Sequence, residues 1–220
     1  MAKGIDVLHK LFGTPARVKV MRLFLLNSGQ GFLPKDISKK TKTNPSAIRK
    51  ELALLLSINF IKKKSFISET SVKPKKSSSK TLIKRKKNIG WFLDESFEYL
   101  KQMKDLLTDA DFFDRDVLIS RFKNSGKVKL LIVSGIFIQS TDSRADILLV
   151  GDNLKKSIVE ESVRSIEAEV GRELSYAVFT TAEFLYRTSM YDKLVCDMLD
   201  FPHETLIDTA KLSTSIIRKP

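Results

Sequence analysis

The sequence predicts an α+β fold in two successive units, and three observations carry that prediction. Between residues 14 and 56, apolar positions recur at helical spacing behind clear cap residues, and residues 59–68 and 80–93 then alternate loosely. From residue 128 onward, short continuous apolar runs alternate with amphipathic stretches, the pattern of a small mixed sheet with helices packed on it. Charge divides the chain in the same way: residues 1–90 hold 22 Lys and Arg against four acids (Asp6, Asp36, Glu51, Glu69), about +18, while residues 91–220 hold 17 against 22, about −5. A chain of 220 residues fits two domains of roughly a hundred residues each.

Composition narrows the classes further. Cys196 is the only cysteine, so an internal disulfide is excluded, and His9 and His203 are the only histidines. Cys196, Asp197 and His203 lack the paired spacings of a structural zinc site, and no metal or cofactor is expected. No apolar run approaches the length of a membrane span, and the first residues do not read as a signal peptide. The expectation is a cytoplasmic protein with no membrane partner.

Thr14 and Pro15 form an N-cap and first-turn pair, after which Val18, Met21 and Leu25 fall at helical spacing and Val20 and Phe24 widen the apolar face. Residues 27–29 stop this helix. A short polar helix over about residues 35–40 is held to a core by Ile37, and Thr41, Lys42 and Thr43 form a tight turn. Asn44 and Pro45 repeat the cap signal, and the next helix places Ile48, Leu52, Leu55 and Leu56 on one face. Its other face offers Ser46, Ala47, Arg49 and Lys50, with Glu51 as the one nearby acid. The stretches 59–68 and 80–93 suit a β-hairpin whose tip, from Val72 to Ser79, is too polar to pack. Helix, tight turn, second helix and hairpin are the order of a winged helix-turn-helix, whose second helix reads base edges from the major groove.

The segments Phe12-Gly13-Thr14-Pro15-Ala16-Arg17-Val18-Lys19 and Asn44-Pro45-Ser46-Ala47-Ile48-Arg49-Lys50-Glu51-Leu52 resemble those of ArsR-like winged-helix transcriptional regulators. This resemblance covers residues 12–93. It implies that Ser46, Arg49 and Lys50 face the major groove and that the wing touches the backbone or minor groove. The cysteine metal box of the metal-sensing members is missing, so metal sensing is not implied. Charge density also favours nucleic acid over a solvated surface: from Lys62 to Lys87 there are eleven Lys or Arg and one acid. The expected contacts to double-stranded DNA are Lys42, Thr43, Ser46, Arg49, Lys50, Lys73, Lys75 and Lys76.

Beyond residue 93, residues 94–108 read as an amphipathic connecting helix carrying Phe97, Leu100, Met103 and Leu107, and a second helix is expected over about 115–123. Val128 to Phe137 and Ala145 to Val150 read as buried strands separated by a polar loop. A long helix follows from Leu154 to Val170, stopped by Gly171, then a strand from Glu173 to Phe179. Thr180 and Glu183 form a capping box for the next helix. Residues 193–199 make a last helix before a short strand at 205–207.

Strand, loop, strand, helix, strand over about residues 112–208 resembles the minimal nucleotidyltransferase domain of the polymerase β-like superfamily. Active members of that superfamily carry Gly-Ser after the first strand and Asp-x-Asp on the second, whose carboxylates hold the catalytic metal ions. Here the Gly is Gly135, but Ile136 stands at the Ser. The Asp-x-Asp falls on Arg144-Ala145-Asp146, and no third carboxylate appears near Ser175-Tyr176-Ala177. An arginine among the metal ligands would repel the ions, and Asp142 lies in the loop rather than on the strand face. The resemblance therefore implies a catalytically silent relic at Gly135, Arg144 and Asp146, with Arg144 pairing Asp146 or binding an anion.

These readings give a winged helix over 1–93, a connecting helix over 94–111, a nucleotidyltransferase-like domain over 112–208 and a tail over 209–220. The expected function is that of a sequence-specific DNA-binding transcriptional regulator, not an enzyme and without catalytic residues. Its second domain would dimerise or sense a small anionic or nucleotide effector. A homodimer is expected, because such proteins commonly match two-fold operators and because Phe97, Leu100, Leu107, Phe112 and Phe113 exceed what a connecting helix needs. Two other classes compete with this one: an active nucleotidyltransferase, and an antitoxin-like interaction protein.

Overall fold

A computed structural model describes residues 4–72, 82–108, 114–140 and 142–213 as an α+β protein. The first unit begins with α1 (Gly4–Leu11), a helix that the periodicity reading did not anticipate. Next comes α2 (Pro15–Leu26), capped by the Thr14 hydroxyl, which accepts from the Arg17 amide at 3.1 Å. Helix α2 is the centre of the first core: Val18, Val20, Met21, Leu23, Phe24 and Leu25 are all buried. Around it pack α3 (Pro34–Thr41), through Ile37, and α4 (Pro45–Ser57), through Ile48, Leu52 and Leu55. Between these helices Lys42 takes the left-handed conformation at φ 49°, which turns the chain sharply enough to start α4 behind the Asn44 cap.

Antiparallel strands β1 (Ile61–Val72) and β2 (Leu82–Leu93) follow, in unbroken register from Ile61 opposite Leu93 to Val72 opposite Leu82. The base of this hairpin is fixed by a reciprocal pair of backbone hydrogen bonds between Phe32 and Trp91, both 2.9 Å. Asp94 to Tyr99 form turns, so helix α5 (Leu100–Thr108) begins six residues later than the expected start at 94. The reason is local: Asp94 accepts from the Lys62 ammonium and from Ser96, tying the chain to β1 before it can coil. Helix α5 lies on α2, where Leu107 is buried in the first core and Phe97, Leu100 and Met103 pack against it. Leu107 is thus spent inside the chain, and Phe97 and Leu100 keep only part of their apolar surface for any further contact. Phe112 and Phe113 lie outside the described residues.

Helix α6 (Arg115–Phe122) leads into a four-stranded sheet of order β5-β4-β3-β6, made of β3 (Lys127–Val133), β4 (Ile147–Asp152), β5 (Tyr176–Phe179) and β6 (Glu204–Asp208). Strand β3 is antiparallel to β4 and β6, and β4 is parallel to β5. Leu131, Val133, Ile147 and Leu149 face α6 and α7 (Lys156–Val170), while Leu130, Ile132, Leu148 and Val150 face α8 (Thr181–Ser189) and α9 (Lys193–Asp200). Coverage of both faces explains why the central strands are continuously apolar. The capping box at Thr180 and Glu183 is formed. Strand boundaries differ from expectation: β5 begins at Tyr176 rather than Glu173, and the apolar run from 128 to 137 is not all strand. It ends at Val133, and Gly135–Phe137 form a 3₁₀ turn that drives Phe137 into the core.

The two units meet at α7. The guanidinium of Arg22, 1% exposed, donates from Nε to the Leu107 carbonyl at 2.7 Å and from Nη1 to the Glu169 carbonyl at 3.1 Å. Asn27 Nδ2 donates to the carbonyls of Leu23 and Gly171. Gly171 ends α7 at φ +91°, and a side chain there would stand 2.7 Å from the backbone of Arg22 and Leu23.

Candidate nucleic-acid interface

The outward face of α4 is built from its cap. Asn44 accepts from the Ser46 amide at 2.9 Å and from its hydroxyl at 3.0 Å, holding the first turn while Ile48, Leu52 and Leu55 anchor the opposite side. Ser46, Arg49 and Lys50 are exposed on that outward face, and Ala47 is half-buried. Glu51 does not belong to it. It is 6% exposed and accepts from the Thr14 hydroxyl and from Arg17 Nε, both at 2.8 Å. The exposed positions of α4 are therefore free of acids, because its one carboxylate turns inward to tie α4 to α2.

Among the other expected contacts, Thr43 is half-buried and donates to the Thr41 carbonyl at 3.1 Å. Lys42 is exposed at the turn but forms an ion pair with Glu161 of α7. Lys73, Lys75 and Lys76 lie outside the described residues. The hairpin supplies basic groups that sequence reasoning counted without singling them out. Lys63, Lys64 and Lys87 are exposed, and the Lys63 ammonium sits 4.7 Å from the centre of the Trp91 ring. Strand parity was the signal that groups two of them: Lys63 and Lys87 share one face of the ladder with Ile67, Ile89 and Trp91, while Lys64 lies on the other.

At the other expected site, the structure brings Gly135 and Asp146 together and takes Arg144 elsewhere. Gly135 has φ +59°, and a Cβ at that position would stand 2.3 Å from Asp146 Oδ1. Asp146, 4% exposed, accepts from the Ile136 amide (3.2 Å) and Arg172 Nη2 (3.4 Å) at Oδ1, and from the Ser175 amide (2.9 Å) at Oδ2. Its own amide donates to the Ser175 carbonyl at 2.7 Å. Arg144 does not pair with Asp146. Its Nε lies 2.7 Å from Asp197 Oδ2, because α9 crosses that end of the sheet while Arg172 reaches Asp146 from the turn after α7. Chemically, the Asp146 carboxylate fastens the 3₁₀ turn after β3 to the start of β5.

No group of three or more His, Cys, Asp or Glu side chains with metal-binding proximity occurs among the described residues. The Cys196 thiol is pushed above its ordinary range, first by burial and then by Asp200, Asp192 and Asp197, which suppresses thiolate chemistry. No helix among the described residues is long and apolar enough to cross a membrane. Comparisons with protein-family models, with curated proteins and with solved structures gave no match.

Proposed function

We propose that the protein is a DNA-binding transcriptional regulator in which residues 1–93 act as a winged helix and the mixed-sheet unit as a catalytically silent partner domain. The observation that carries this reading is the outer face of α4: Ser46, Arg49 and Lys50 exposed together, with Glu51 withdrawn from that face. A recognition helix needs such a face, small and basic toward its N-terminus, and a neighbouring hairpin with exposed lysines supplies sequence-independent attraction to phosphate. The saturation of Asp146 by two amides and a guanidinium supports the silent assignment. A carboxylate engaged in this way has to break internal hydrogen bonds before it can hold a metal ion. A homodimer, and an anionic or nucleotide effector of the second unit, remain part of the proposal.

Fluorescence anisotropy with duplex DNA across a salt series tests the reading. If half a dozen phosphates are contacted, log K against log salt has a slope of roughly −5. A slope near zero would remove the electrostatic basis of the proposal. Replacing Lys73, Lys75 and Lys76 together with Ala weakens binding to all sequences alike and flattens the slope, whereas Arg49→Ala erodes discrimination among sequences by about 1–3 kcal/mol. Identical behaviour of the two variants would refute the division between positioning and reading. Metal-dependent incorporation of labelled nucleotide with Mg²⁺ or Mn²⁺, abolished in Asp146→Ala, would move the protein into the enzyme class.

A further inference from the structure

We infer that the C-terminal unit is an electrostatic clasp on the turn between α3 and α4, in which Glu161 and Glu173 occupy the cations that a nucleic-acid backbone would need. Lys40, at the end of α3, lies 2.8 Å from Glu173, and Lys42, in the turn itself, pairs with Glu161 of α7. These acids come from the unit whose charge is about −5, and the lysines from the unit carrying about +18. The clasp rests on the DNA-binding reading for its consequence, but not for its existence.

The interface has two tiers, which is what makes one of them releasable. Near the axis of α2, Arg22 is buried and the Lys19–Glu169 pair has side chains 17% and 18% exposed, so this part holds the units together. At the rim the carboxylates are open to solvent, 82% for Glu173 and 66% for Glu161. Both of these carboxyls sit below the ordinary glutamate range because Lys40 and Lys42 donate to them, so they stay charged. The pairs span an open cleft of about 700 Å³ between α3 and α7, lined also by Lys39, Arg164 and Arg172, rather than sealing a dry seam. Solvated pairs of this kind are individually weak and readily exchanged for phosphate. Engagement of the turn by DNA therefore displaces Glu161 and Glu173, while the Arg22 contact is left in place.

The test compares the full chain with Glu161→Gln/Glu173→Gln and with a charge-matched control, Glu95→Gln/Glu98→Gln, two exposed carboxylates that lie outside the cleft. On a labelled mixed-sequence duplex at low salt, the first double variant binds about 2- to 30-fold tighter than wild type, and clearly tighter than the control. Its advantage shrinks as salt rises. Equal gains in both double variants would mean general charge repulsion and would overturn the clasp. A second measurement needs no DNA. Amine acylation followed by mass spectrometry reports faster labelling of Lys40 and Lys42, relative to Lys39, in Glu161→Gln/Glu173→Gln than in wild type. Unchanged labelling overturns the clasp. Faster labelling in a protein that binds no duplex overturns the DNA-binding reading and leaves the clasp standing.

Discussion

At the carboxylate of Asp146, two backbone amides and one guanidinium converge on two oxygens, and the residue is almost fully buried. Removing it takes the acceptor from the Ile136 and Ser175 amides, whose hydrogen bonds to it are partly buried. Asp146→Ala is therefore expected to cost about 2–4 kcal/mol in urea unfolding, while leaving duplex affinity nearly unchanged. Arg172→Met, which deletes only the longer and more solvated of the three contacts, costs under about 1 kcal/mol. Equal losses in the two variants would show that the ion pair, and not the amide hydrogen bonds, sets the value of this site. The pairing here was not legible in the sequence. Gly135 and Asp146 could be placed together from strand order, but Arg144 and Asp197 are 53 residues apart and meet only because α9 packs across the sheet.

At the scale of elements, Asp94 joins the end of β2 to Lys62 near the start of β1. Its carboxyl is held down to about 2 by the hydrogen bond from Lys62, followed by those from Ser96. Since the folded value lies below the ordinary 3.8, the stability that Asp94 contributes is fully present above about 3.8 and is lost as pH falls through about 2. Denaturant midpoints of wild type and Asp94→Asn are thus expected to differ at neutral pH and to converge at the acid end of that window. A difference independent of pH would count against the ion pair as its origin. Helices with cap residues and strands with clean apolar runs were readable because cap and period are local properties. Helix α1 was not, since among its residues from Val7 to Leu11 only Leu8 is buried and no cap announces it. The end of β3 was hidden for the opposite reason: Ile136 and Phe137 prolong the apolar run, yet they serve the core from a turn.

At the scale of the whole molecule, the seam between the units is organised by Arg22. Burial lowers its pKa to about 10, with Glu169 opposing the shift, so the guanidinium remains charged at neutral pH. Its carbonyl partners, Leu107 and Glu169, belong to α5 and α7, so one side chain ties α2 to both. Arg22→Met keeps most of the volume but deprives both carbonyls of a donor, and is expected to cost about 2–3 kcal/mol. Calorimetry should show a single unfolding transition for wild type and two for Arg22→Met, one for each unit. An unsplit transition with an unchanged midpoint would show that apolar contacts alone, such as Leu26 against the second core, couple the units.

The hairpin has a mechanical consequence. Twelve consecutive residue pairs from Ile61–Leu93 to Val72–Leu82 make a ladder about 40 Å long at roughly 3.3 Å per residue. Among the described residues it is anchored near one end, where Phe32 grips Trp91, while the Phe66 and Phe92 rings stiffen the ladder itself by packing edge to face at 5.6 Å. A beam held this way is a lever with its fulcrum at residue 32. A rotation of about 10° at that fulcrum, nine residue pairs or about 30 Å from the far end, sweeps that end through about 5 Å, comparable with the width of a DNA minor groove. Small repacking of Phe32 against Phe24, both of them buried, would therefore set where the positive arm lands.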